Sequence, residues 1–249
     1  MVTMRKIYIF ILSFFIFISY NSIHVSALYT TTPKKTVYLT FDDGPSVKVT
    51  KEIIGILKTN DIKGTFFVVG DYVSIYPYLL EELENSNMCI MPHCNFHNYN
   101  TLYKNEEEYF KDLDKCVSNI QKVIGNKKMN FVRLPGGADN TYCEDETLKK
   151  IKSNLLNKGI NYIDWTIDTG DSESYDISKD YLISRIMDEG CLYDVEVVLM
   201  HDLGGKNTTV EALQEIIDIY IAKGYEFKTL NEIEDQEIEY LKKINVLNK

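Results

Sequence analysis

In TVYLTFDDGP, residues 36–45, an apolar β-type run ends in two adjacent acids and a Gly-Pro pair. Asp, Gly and Pro are turn formers, so the residues after Phe41 also read as a plain solvated turn. The hydrophobic strand directly before them argues for more. A strand inside a sheet that terminates in two acids sets both at the rim of the core, where successive side chains diverge and can take different tasks. Similar runs recur at 64–69, 88–91, 130–134, 161–167, 195–200 and 226–229, with longer amphipathic stretches between them. Strands alternating with helices in this way predict an α/β domain built on a parallel sheet.

The intervening stretches carry helical periodicity. Over 105–124, Leu113, Val117, Ile120 and Ile124 recur at three- and four-residue steps and make one apolar stripe. The stretch 144–158 repeats the device with Leu148, Ile151 and Leu155 and then offers Gly159 as a C-cap; 210–223 ends the same way at Gly224. No internal repeat or low-complexity linker divides the chain. One domain is expected over 36–232, after a linker at 28–35 and before a charged tail at 233–249 that reads as an exposed helix or a frayed end.

Residues 1–27 hold Arg5 and Lys6, an apolar run from Ile7 to Tyr20, and Val25 and Ala27 at the spacing a signal peptidase reads. That order predicts a secretory signal cleaved after Ala27. An uncleaved anchor is the rival reading, but the run is shorter than the roughly 20 apolar residues a spanning helix needs. The mature chain is therefore expected to be secreted or at the cell wall, without stable membrane association, as a monomer. With 37 acidic against 27 basic residues the formal net charge is −10, which argues against a general affinity for nucleic acid phosphates. Five cysteines in 249 residues are too few for a disulfide scaffold, and an odd number leaves at least one thiol unpaired within a chain.

In parallel α/β architectures ligands bind beyond the carboxyl ends of the strands. The sequence places there Asp42 and Asp43, then His93 and His97, Arg133 ahead of Pro135-Gly136-Gly137, Asp168 to Asp171, and His201-Asp202. Three of the chain's four histidines fall at such ends, which chance scatter would not favour. His93 and His97 are four apart, so both imidazoles can face one point, although the same step arises on ordinary helices. A carboxylate from Asp43 completes a two-His, one-acid set that leaves an open position on Zn²⁺ for water or substrate. Asp42 is then free to act as a base and His201 is a candidate acid. Arg133 either holds a carboxylate ionised and oriented or makes a plain structural ion pair.

TFDDGP (40–45), HCNFH (93–97), RLPGG (133–137), DWTIDTGD (164–171) and VLMHD (198–202) resemble, in order, the five motifs of the polysaccharide deacetylases of the NodB-homology group, carbohydrate esterase family 4. The resemblance extends to GTFFVVG (64–70) and TVEALQEIIDIYIAKGYEFKTL (209–230), nearly the whole mature chain. It implies a single distorted (β/α) barrel of about seven parallel strands. It also implies that Asp43, His93 and His97 bind a divalent metal, usually zinc, with cobalt as the alternative. Asp42 would be the general base for the attacking water and His201 the acid for the leaving amine. Arg133 would orient Asp42, and Asp171 would tune His201. Pro135 and Gly136, through the N–H that follows Pro135, would hold the oxyanion, and Leu199 would line a pocket for the acetyl methyl. Three departures stand out: Cys94 where a supporting Ser or Thr is usual, Met91 and Pro92 where small or polar residues are common, and Ser172 where a Trp commonly covers the acid histidine.

The expected activity is removal of N-acetyl groups from a cell-wall or surface glycan. Peptidoglycan N-acetylglucosamine leads, because RLPGGADNT (133–141) looks like the wall-acting members. Deacetylation of chitin or exopolysaccharide, O-acetyl xylan esterase activity, and an inactive glycan-binding relative are the alternatives. Intact Asp42, Asp43, His93, His97 and His201 speak against the last.

Overall fold

The computed structural model describes residues 33–174 and 176–249; the expected signal at 1–27 and most of the linker at 28–35 lie outside the described residues. The strands are β1 (Thr36–Asp42), β2 (Thr65–Val69), β3 (Cys89–Cys94), β4 (Phe131–Val132), β5 (Asn161–Tyr162), β6 (Ile167–Asp168), β7 (Val195–His201) and β8 (Glu226–Phe227). The helices are α1 (Val49–Thr59), α2 (Gly70–Ile75), α3 (Pro77–Asn85), α4 (Tyr99–Leu102), α5 (Glu106–Ile124), α6 (Asp145–Asn157), α7 (Lys179–Glu189), α8 (Asn207–Ala222) and α9 (Asp235–Lys243). Six strands make one sheet in the order β3-β2-β1-β7-β6, with β8 paired to the start of β1, while β4 and β5 pair separately; every one of these ladders is parallel. The α/β class and the parallel sheet are as the sequence predicts.

Every residue of β1 is buried, because helices cover one face and the barrel interior the other. Its side chains alternate accordingly. Val37, Leu39 and Phe41 join the helix-facing cluster with Ile53, Leu57, Leu213 and Ile216, while Tyr38 packs with Phe67, Met91 and Val197 in the interior. Thr40 and Asp42 share the parity of Tyr38. The last residue of β1 is therefore an acid presented to the interior at the carboxyl end of the sheet.

The sequence read 161–167 as one strand, and the chain divides it. Tyr162 ends the pairing with β4, and pairing to β7 resumes only at Ile167. Between them the carbonyls of Ile163 and Asp164 accept from Arg133, and Asp164 N–H donates to Val246 O, so these backbone groups are not available to a neighbouring strand. Among the described residues the split gives eight strands where about seven are expected. Strand β3 runs past the expected 88–91 to include His93 and Cys94. All five cysteines are free thiols, and no helix among the described residues is long and apolar enough to cross a membrane.

The segment 233–249 corrects the sequence reading more sharply. Helix α9 forms, but it is not a solvated tail: Leu241 and Leu247 are buried against Tyr38, Phe131 and Val195. Its acidic composition misleads because Glu237 is itself buried, accepting the Tyr38 hydroxyl at 2.8 Å and facing Lys228 at 3.1 Å. Past the helix, Leu247 bridges Ile163 in antiparallel sense, and Asn248 accepts Tyr162 N–H. Leu241→Ala should therefore cost about 2–5 kcal/mol, as for other fully buried leucines. Urea unfolding of the parent and variant measures it; a cost within about 0.5 kcal/mol, typical of surface sites, would return α9 to the periphery.

Candidate active site

Two like residues leave β1 in different directions. Asp42 is still in the strand, in register with Phe67 on one side and His201 on the other, so parallel pairing alone sets it beside the histidine. Asp43 turns into the left-handed region at φ 73°, which Asp tolerates better than most residues. That turn carries its carboxylate toward β3. Gly44 follows because nothing larger fits: a Cβ there would lie 2.0 Å from Asp202 Oδ2. Asp202 is fully buried beneath the turn, takes the Thr50 hydroxyl at 2.6 Å and, through its carbonyl, the Ser46 hydroxyl. Burial pushes its carboxyl up to about 7, Thr50 pulls the other way, and Asp43 and Asp42 add to the rise.

Asp43 Oδ1 lies 3.4 Å from His93 Nε2 and 3.4 Å from His97 Nε2, and the donor atoms of the three residues fall within 4.8 Å of one another. Two donors about 2.1 Å from a tetrahedral ion are themselves about 3.4 Å apart. The separations thus suit three ligands around a common point better than pairwise hydrogen bonds. His93 is buried, and desolvation holds its pKa below the ordinary value, so the neutral ring keeps a lone pair to give. The residues present fit a divalent ion.

The loop between the two histidines is anchored by an acid that the sequence reading missed. Asp112, on α5, accepts Asn95 N–H at 2.5 Å and Phe96 N–H at 3.0 Å. Asn95 also donates to Asp71 and accepts from Asn119. Cys94, where a hydroxyl was expected, is buried, and the Asp112 carboxylate supports the loop.

Arg133 follows β4 and is wholly buried. Its guanidinium donates to Asp42 Oδ1 at 3.0 Å, Thr40 Oγ1 at 2.7 Å, Ile163 O at 3.1 Å and Asp164 O at 2.9 Å. It lies 4.5 Å from the Phe67 ring centroid and 5.8 Å from that of Trp165. The turn beyond it is closed by Gly137 N–H to Leu134 O and by Ala138 N–H to the Asp164 carboxylate. Gly136 is exposed with its N–H unpaired among the described residues, whereas Pro135 is buried, its carbonyl taking the Tyr103 hydroxyl.

His201 closes β7. Asp171 grips it twice, with Oδ1 at 2.6 Å from the ring Nδ1 and Oδ2 accepting its backbone N–H at 2.8 Å. Thr209, another residue the sequence reading passed over, donates to the same Oδ2 at 2.6 Å. Burial opposes charge on the ring, yet Asp171, with Asp42 and Asp43 behind it, pushes the pKa up to about 9. Asp42, Asp43, His93, His97, Gly136, Leu199 and His201 all line one cleft of about 400 Å³, a volume suited to a small ligand group. Tyr99, Leu134, Tyr142, Trp165, Asp168 and Ser172 complete its walls.

A polysaccharide deacetylase family profile matches residues 29–154. A peptidoglycan-N-acetylglucosamine deacetylase of Bacillus cereus is 32% identical over 202 residues, covering 80% of this chain and 70% of that protein. The chain belongs to the polysaccharide deacetylase family. A peptidoglycan-N-acetylmuramic acid deacetylase of Bacillus subtilis shares 28% identity over 202 residues, covering 81% of this deacetylase and 72% of its own length. The solved catalytic domain of a peptidoglycan N-acetylglucosamine deacetylase from Eubacterium rectale matches with a TM-score of 0.74 at 30% identity, over 82% of this chain and 90% of that one. The family is generally metal-dependent, and the Asp43-His93-His97 cluster is where this deacetylase could hold an ion.

Arg133→Ala in the deacetylase would strand the buried Asp42 carboxylate, and breaking such a pair costs about 3–5 kcal/mol. Arg133→Lys should recover little of it, since an ammonium cannot span four acceptors set for a planar fork. Denaturant unfolding of both variants measures the loss; full recovery by lysine would reduce the guanidinium to a point charge.

Proposed function

We propose that this deacetylase is a secreted, metal-dependent hydrolase that removes N-acetyl groups from peptidoglycan, with N-acetylglucosamine as the sugar. The observation that carries the reading is the juxtaposition of Asp42 and His201, paired in register on adjacent strands, with the Asp43-His93-His97 cluster in the same cleft. The wall substrate is supported by the names of the relatives and secretion by the order of residues 1–27.

An amide is a poor electrophile with a poor leaving group, so its hydrolysis gains from an electrophile, a base and a separate acid. A divalent ion held by Asp43, His93 and His97 would supply Lewis-acid polarisation of the carbonyl and acidify the attacking water. Asp42, oriented by Arg133, takes the proton of that water. The Gly136 N–H donates to the oxygen on which negative charge develops. His201, kept cationic by Asp171, delivers a proton to the departing amine. Leu199 and Leu134 give the acetyl methyl an apolar wall. Acetate release from peptidoglycan by purified residues 28–249 with zinc or cobalt tests the reading, and chitin oligomers, acetylated xylan and exopolysaccharide serve as competing substrates. No acetate from any of them would point to a glycan-binding protein without turnover.

Base and ligands separate by substitution. Asp42→Asn should keep a stoichiometric metal and lose about 10²–10⁴-fold in kcat, the usual scale for general base catalysis. A His93→Ala, His97→Ala double variant should lose the metal itself, because so few bonds hold it. Elemental analysis alongside kinetics checks both. Full metal in the double variant would remove the histidines from the ligand set, and near-normal turnover in Asp42→Asn would make that acid a turn residue.

Activity should fall at alkaline pH as His201 loses its proton near pH 9. In Asp171→Asn the chief interaction favouring the imidazolium is gone while burial still opposes it, so the alkaline limb should move toward neutral pH. Profiles of kcat/KM against pH for both proteins decide the point; coincident alkaline limbs would mean that Asp171 does not tune the acid.

A further inference from the structure

Tyr142 and Tyr99 line the cleft but have no part in the chemistry above. Their rings stack with centroids 3.9 Å apart and planes 1° from parallel. Tyr99 meets the His97 ring at 5.0 Å and 69°. Behind Tyr99 the column continues through Tyr103 and Tyr109, with spacings of 6.3 and 6.1 Å and 6° between planes in both pairs. Tyr103 and Tyr109 are buried, whereas Tyr142, at the outer end, is 59% exposed. Four near-parallel rings thus run from the core to the cleft, and the last of them is bare.

Tyr142 is also held from its own loop. Asn140 Oδ1 accepts the N–H groups of Tyr142 and Cys143, both at 3.1 Å, while Asn140 Nδ2 donates to Gly137 O at 2.7 Å. A Cβ on Gly136 would come within 3.2 Å of the ring edge, so the tyrosine lies against the backbone of the proposed oxyanion donor. With one face on Tyr99 and one edge on Gly136, the exposed area belongs to the other face. A rigid aromatic plane costs little ordering when a ligand settles on it.

We propose that Tyr142 is a stacking platform for a pyranose ring of the glycan chain, the unit next to the one whose acetamide reacts. A pyranose turns a flat array of C–H groups outward, and the negative face of an aromatic ring attracts such positively polarised edges. The platform is one ring removed from Tyr99, which touches His97, and so stands beside the reacting centre. Asp168 and Ser172, in the walls of the same cleft, offer polar partners for sugar hydroxyls. This assignment rests on the glycan reading of the site, and its test separates the two.

Binding of the N-acetylglucosamine pentamer and dimer to the full mature chain is measured by calorimetric titration without added metal, for the parent, Tyr142→Ala, Tyr142→Phe and Tyr142→Trp. Acetate release by the metal-loaded parent is followed in parallel. Loss of the ring should weaken the pentamer about five- to ten-fold, the scale of one aromatic contact, and weaken the dimer that spans the reacting unit and this neighbour on the same scale; phenylalanine and tryptophan should retain the parent's affinity. Equal pentamer affinity in parent and Tyr142→Ala overturns the platform, and acetate release by the parent would leave the deacetylase reading standing. An Ala variant weakened only for an isolated stem peptide, and not for the pentamer, also overturns it by making the occupant peptide. A loss that phenylalanine shares equally would assign the effect to the hydroxyl and overturn stacking.

Discussion

One buried guanidinium ties the sheet to the chemistry. Arg133 is removed from solvent completely, an arrangement that is tolerable only if its charge and its N–H groups are met from within. One carboxylate, one hydroxyl and two carbonyls meet them. The acceptors come in two pairs: Asp42 and Thr40 from the inward face of β1, Ile163 and Asp164 from the break between β5 and β6. Thr40 completes the relay by donating onward to Val198 O on β7 at 2.6 Å. The separate β4-β5 ladder is thereby fastened across the interior to the six-stranded sheet. The same contact that closes the fold fixes the orientation of Asp42.

Because β1 and β7 are parallel and in continuous register from Thr36↔Val195 to Asp42↔His201, the proposed base and acid need no loop to bring them together. Loops supply what strands cannot: a second histidine, His97, returned to the carboxylate that His93 at the end of β3 already faces, and an N–H free of the ladder at Gly136. Each loop is secured by a buried or half-buried acid accepting backbone N–H groups, Asp112 beneath 95–96 and Asp164 beneath Ala138. Charge-assisted bonds of this kind are stronger than neutral ones and hold a loop close to one geometry.

What the sequence made legible was whatever depends on local pattern. The run at 36–41 announces a doubly buried strand, and the acids at its end follow from where that strand stops. Helices over 105–124, 144–158 and 210–223 follow from their apolar steps, and α5, α6 and α8 start within three residues of those bounds. The misses share a cause: they depend on partners far along the chain. Splitting of 161–167 requires Arg133, thirty residues earlier. The burial of α9 requires the Tyr38 hydroxyl and the Lys228 ammonium to satisfy a Glu237 that looks solvated in the sequence. Asp112, Thr209 and Tyr142 sit in ordinary-looking helical or loop sequence, and only their contacts set them apart. Tyr142 does carry a faint signal, an aromatic residue in the polar loop ADNTYCED.

The Asp-Asp pair shows how little backbone is needed to make one residue type serve two purposes. Asp42 keeps the extended conformation of β1 and inherits that strand's alternation, so its carboxylate goes to Arg133. Asp43, one residue later, adopts φ 73°, and its carboxylate goes to His93 and His97. Such a reversal requires the next residue to pass close beneath, and Gly44 does so, over Asp202. A third acid under two others would be electrostatically costly if ionised, since like charges in a desolvated setting repel strongly. Burial first, and then Asp43 and Asp42, push Asp202 up to about 7, so near neutral pH it carries only part of a charge, while Arg133 and the cationic His201 offset the pair above. The turn therefore holds three carboxyl groups in three electrostatic settings: one paired with a guanidinium, one facing two imidazoles, and one close to its own titration point. The sequence motif separates Asp42 from Asp43 by role, but the state of Asp202 and the cause of the separation lie in a single dihedral angle and in what each oxygen faces.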